Sequence, residues 1–134
     1  MAKKEEFMET ENSAVIHVDN EPYELLLTMR ATREIAKRYG GLEPLADKLL
    51  SADKFEDAIG EVSWLITLLA NQSVMINNLR NPGSQRPLLT EEKLELLTTP
   101  YEIAGFKDAI MESLAKGAKR TIENEPEPKN PEAG

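Results

Sequence analysis

The stretch DKFEDAIGEVSWLITLLANQSVMINNLR, residues 53–80, is the part of the chain that the remainder has to be built around. Phe55, Ala58, Ile59, Val62, Leu65, Ile66 and Leu69, followed by Ile76, keep the i, i+3, i+4, i+7 spacing of one helical face. A second apolar row, Trp64, Leu68, Met75 and Leu79, runs along the neighbouring flank, so apolar groups cover more than half the circumference. A helix of that kind is either central or shared with a partner. At about 1.5 Å per residue it would measure roughly 42 Å, beyond the ~30 Å of a small domain, and is expected to protrude or bend. The expected weak point is Asn71-Gln72-Ser73, where polar residues interrupt the first row and Asn71 or Ser73 could cap a new turn. A membrane span is not expected, because the uncharged run from Val62 to Ile76 is too short and carries Ser, Thr, Asn and Gln.

With 134 residues the chain has room for one domain with a modest core. Aromatic residues are only 5% of it, so packing falls to Leu and Ile. Sixteen Lys and Arg against 24 Asp and Glu leave a net charge of −8, which lacks the phosphate-neutralising field of nucleic-acid binding. Cysteine is absent, which removes disulfides, thiol nucleophiles and zinc-thiolate sites and fits a reducing compartment. MAKKEEFMETENS, at the start, has no apolar core of a secretory signal, so a cytoplasmic protein is expected.

Residues 1–13 are too polar to offset their ordering entropy and read as a disordered tail. AVIHV and YELLL flank the tetrapeptide Asp19-Asn20-Glu21-Pro22, which predicts a β-hairpin over residues 14–27 with its apolar face on helices. Thr28 is placed to cap a helix from Met29 to Tyr39, and Gly40-Gly41 to stop it. Leu42, Leu45, Leu49 and Leu50 are spaced for a short second helix that tolerates Pro44 in its first turn. After the long helix, NPGSQRP is loop chemistry. Thr90 sits between Leu89 and Leu94 as the cap of a stapled short helix, and Thr99-Pro100-Tyr101-Glu102 is a capping box opening a last helix. Ile103, Phe106, Ile110 and Leu114 share a face of that helix, which is expected to fade beyond Gly117. The fold class is therefore mainly α, an α+β arrangement of an N-terminal β-hairpin packed on about five helices over residues 14–122, with an acidic, proline-rich disordered tail at 123–134.

Residues capable of chemistry have simpler explanations. His17 alternates with Ala14, Ile16 and Val18 and so points away from the apolar face of its strand. Glu56, Asp57 and Glu61 read as the solvated face of the long helix, and Glu91 and Glu92 suit the positive end of a helix dipole. Gly40-Gly41 lacks the Lys-Ser/Thr of a phosphate loop. No catalytic, cofactor-binding or metal-binding motif is present, and the expectation is a protein that is not an enzyme.

The succession of hairpin, Thr-capped helix ending in Tyr-Gly-Gly, leucine-rich short helix, long apolar helix and LLTEEKLELLTTPYEIAGFKDAIMESL resembles the tail assembly chaperones of long-tailed bacteriophages and prophages over residues 15–114. The resemblance implies a mainly helical protein that binds the tape measure protein, keeps it soluble and helps to recruit tail tube subunits, with the tail tube protein as a second partner. It also implies, in many members, a longer form made by ribosomal frameshifting. Such a protein acts in the bacterial cytoplasm without nucleic acid or membrane. The rival expectation is a small acidic helical interaction or regulatory protein with another protein partner.

Two readings of Trp64, Leu68, Met75 and Leu79 stay open on sequence grounds. The row is a second core face, or it lines a groove that receives a helix of a client or of a second copy of the chain. Tryptophan and methionine suit an adaptable apolar surface, and the net charge would keep it soluble.

Overall fold

Asp19 and Asn20 both take positive φ, 52° and 68°. That is the two-residue type I′ turn whose twist matches the flanking strands, and Asx residues enter it at low steric cost. A computed structural model describes residues 13–51 and 55–123; in it the turn joins β1 (Ser13–Val18) to β2 (Glu21–Leu26), antiparallel, with Ile16 opposite Tyr23 and His17 opposite Pro22. The turn is thus two residues and not the expected four, since Glu21 and Pro22 already belong to the ladder. Alternation puts Ala14, Ile16, Val18, Tyr23 and Leu25 inward and leaves His17 exposed.

Five helices follow among the described residues: α1 (Met29–Tyr39), α2 (Leu42–Ser51), α3 (Phe55–Arg80), α4 (Glu91–Leu97) and α5 (Pro100–Glu123). Their ends are set by the expected side chains. The Thr28 hydroxyl accepts from the Ala31 N–H at 3.0 Å, and Gly40, at φ 94°, returns its N–H to the Ala36 carbonyl at 2.8 Å. Thr90 accepts from the Lys93 N–H, with Leu89 and Leu94 of the staple both buried. At α5 the Thr99 N–H donates to Glu102 Oε1 at 2.8 Å and the Glu102 N–H donates back to the Thr99 hydroxyl.

The hairpin lies across α3 and α5, with β2 along α3 and β1 along α5, while α1, α4 and α5 pack around α3. Val62, Leu65, Ile66 and Leu69 of α3 join Leu25, Ile35, Leu45 and Ile110 in one core, and Ile103, Phe106 and Leu114 are buried as expected. Phe55, Ala58, Glu56, Asp57, Leu50 and both tails lie outside the residues whose side chains are described.

Three expectations need correction. Ile76 is only half-buried, whereas Val74 is buried, on the flank of α3 where Asn71 and Asn78 hold Leu89 and Arg86. α5 does not fade at Gly117 but runs to Glu123; that glycine serves a close approach, since a Cβ there would lie 2.7 Å from Cβ of Leu27. Length alone does not exclude a membrane span, because Ile59–Arg80 is 22 residues long and apolar enough to cross one. Of its most apolar 18-residue window, 44% is buried inside the fold.

Candidate functional site

Asn71, Gln72 and Ser73, the expected weak point, lie within an unbroken α3. Each is bonded to backbone or to another element. Asn71 donates from Nδ2 to the Leu89 carbonyl and accepts the Leu89 N–H at Oδ1, both at 2.7 Å. Asn78, two turns on, holds Arg86 in the same way, at 2.9 and 2.8 Å. The two side-chain amides replace the backbone partners that an irregular segment would otherwise lack. Arg86 extends the tether to the hairpin, donating to Glu21 and to the Pro22 carbonyl with its guanidinium 4.7 Å from the Tyr23 ring centre. On the other flank of α3, Gln72 accepts from the Thr28 hydroxyl at 2.6 Å and donates to the Leu68 carbonyl. Thr28 therefore caps α1 and ties it to α3 at once.

These tethers bring α1 and the segment before α4 against opposite flanks of α3 and leave a strip between them uncovered. The strip is a groove of about 350 Å³. Trp64, Leu68 and Met75 form its floor, Arg30 and Glu34 line it from α1, and Leu88 and Glu91 line it from the other side. Trp64, Leu68 and Met75 are half-buried, and Trp64 and Leu68 also pack against the core, so these two serve the core and the groove together. Leu88, on the rim, is 48% exposed.

At the Trp64 end the floor is clamped. The Arg38 guanidinium lies 4.4 Å from the Trp64 ring centre, and Tyr39 meets the indole edge-on at 5.9 Å. Tyr39 donates its hydroxyl to Glu61, whose carboxylate is also 3.8 Å from Arg38. Glu61 is thus partly buried and engaged, and not the freely solvated group expected from the sequence. Burial first, and the bond to the Glu61 carboxylate second, push the Tyr39 phenol up to about 12, with Arg38 opposing. The phenol stays protonated and keeps donating across the ordinary pH range.

Three of the four residues expected at a partner surface are therefore brought together, and the fourth is not. Leu79 is 82% exposed near the end of α3 and does not line the groove. The walls were not anticipated. Arg30 and Glu34 are one turn apart beside the buried Ala31 and Ile35, a pattern open to reading, whereas Leu88 and Glu91 reach the groove only because Asn71 fixes Leu89.

A second cavity, of about 530 Å³, lies between β1 and the start of α5 and contains His17, Tyr101 and Phe106. One carboxylate accompanies the histidine, Glu102, and it is already engaged in the capping box. Among the described residues no group of three or more His, Cys, Asp or Glu is arranged to hold a metal ion. Comparison of the chain with family models, with curated proteins and with solved structures found no match.

Proposed function

We propose that this protein is a tail assembly chaperone of the long-tailed phage type, a non-enzymatic carrier that holds helical segments of a tape measure protein in the cytoplasm until tube subunits assemble around it. The observation that carries this reading is the groove on α3. A central helix that buries Val62, Leu65, Ile66 and Leu69 in the core keeps Trp64, Leu68 and Met75 half-exposed between two walls, on a chain of net charge −8. An apolar floor with polar walls is the chemistry of a site that receives one face of an amphipathic helix. The order of hairpin, capped helices and LLTEEKLELLTTPYEIAGF supports the same reading, and the acidic surface would keep a client complex soluble.

Co-expression tests it. A tape measure protein encoded with this chain should be soluble and co-purify with the wild-type protein, and Leu68→Asp should abolish co-purification while the far-ultraviolet dichroism stays unchanged. A wild-type chain that neither binds nor solubilises the tape measure protein would overturn the proposal and leave an acidic interaction or regulatory protein with another partner.

A further inference from the structure

The walls of the groove differ in charge. At about 100° per residue, Gln72 and Asn71 lie on opposite sides of the Trp64-Leu68-Met75 row, and they hold Thr28 at the start of α1 and Leu89 ahead of α4. On the α1 side Arg30 donates to Met75 Sδ at 3.6 Å, Arg38 covers Trp64 and Lys37 lies on the same ridge, three cations against two carboxylates, Glu34 paired with Lys37 and Glu61 of α3 beside Arg38. On the α4 side Glu91 lines the groove and the exposed Glu95 follows one turn later, while Lys93 lines a separate cavity, shared with Val18, Tyr23 and Arg86, and not the groove. A ridge of net positive charge and an acidic ridge thus face each other across an apolar floor, and the positive one runs against the sign of the whole chain.

We infer that the groove takes an amphipathic helix with one acidic and one basic flank, and that the charges on the two walls set the direction in which this helix lies. The inference rests on the groove reading proposed above. Turning a helix end for end in a groove exchanges its flanks. In a right-handed helix, acidic residues one position before the apolar stripe and basic residues one position after it bring acid to α1 only when the helix runs parallel to α3. Exchanging the two charges requires the antiparallel direction. Rim charges act chiefly on orientation and on rejection of wrong partners, so the effect is selective and falls with salt.

Four synthetic helical peptides with one shared Leu/Ile stripe test this on the full chain: acid before and base after the stripe, the exchanged isomer, all-Lys flanks and all-Glu flanks. The two mixed peptides should bind about tenfold more tightly than either uniform one, the sum of several modest surface pairs, and the difference should vanish at high salt. A photo-crosslinker on the peptide N-terminus should label the Trp64 end of the groove for the first isomer and the Met75 end for the second. Glu91→Lys with Glu95→Lys should move the preference to the all-Glu peptide. Equal binding of all four peptides that is lost in Leu68→Asp would overturn the charge inference and leave the groove standing. Crosslinks at the same end for both isomers would overturn the directional claim. Absence of binding, binding indifferent to Leu68→Asp, or a Leu68-dependent dimer that excludes the peptides would overturn the helix-client groove together with its charge code.

Discussion

Leu68 and Leu69 are neighbours in the chain and face different surroundings in the fold. Leu69 is wholly buried in the core that α3 shares with the hairpin and α5, whereas Leu68, about 100° round the helix, forms the floor of an open groove. The same side chain is used first for stability and then for a surface, and what separates the two uses is where the covering elements stop. They stop where Gln72 fastens α1 and Asn71 fastens residue 89. The groove is therefore a product of polar tethers, and an apolar row becomes a site because its neighbours are held apart.

The largest way to break the comparison is at Leu69. Leu69→Ala should cost about 3 kcal/mol or more in denaturant unfolding, from lost transfer energy and the cavity left behind. Asn71→Ala comes next, at about 2 kcal/mol, because it orphans the N–H and carbonyl of Leu89. If the wall depends on that tether, the same variant also lowers binding of a groove ligand, and a variant that loses stability but binds normally would detach the wall from the asparagine. Leu68→Ala should cost about 1 kcal/mol, since its exposed part loses nothing on truncation. Equal losses at Leu68 and Leu69 would erase the distinction between core and floor. At neutral pH the smallest effect is at the clamp, which shows itself only in alkali. An unfolded tyrosine ionises near 10, and the folded Tyr39 phenol is pushed up to about 12. Its contribution to stability is therefore complete below pH 10 and is lost as pH rises from 10 to 12. Tyr39→Phe should flatten that part of the stability profile, as followed by alkaline unfolding.

Much of the fold was legible because its boundaries are written in local chemistry. Thr28, Gly40, Thr90 and the Thr99–Glu102 box act on groups within four residues of themselves, and a local rule reads them without knowledge of the rest. What failed to be legible depends on distant residues. Gly117 looks like a helix stop until Leu27, from the far end of the chain, is seen against it. Asn71 looks like an interruption of an apolar stripe until Leu89 arrives to be held, and Asn78, which drew no notice in the sequence, holds Arg86 in the same way. Val74 outranks Ile76 in burial for the same reason. The candidate site divides along that line as well: its floor follows from helical periodicity, while its far wall, Leu88 and Glu91, depends on a tertiary tether that no spacing records. Leu79 keeps the period of the row and misses the groove, because periodicity places a residue on a face and says nothing of where the neighbouring walls end.

The most direct test of the groove uses the chain's single tryptophan, which lies in the floor itself. Titration of the full-length protein with a tape measure fragment free of tryptophan should shift the Trp64 emission to shorter wavelength in a saturable way. Leu68→Asp should abolish the shift while leaving the starting spectrum and the thermal unfolding cooperative. Full-strength binding of the fragment, measured independently, with no change in Trp64 emission would contradict the account, because the client would then be held somewhere other than on α3.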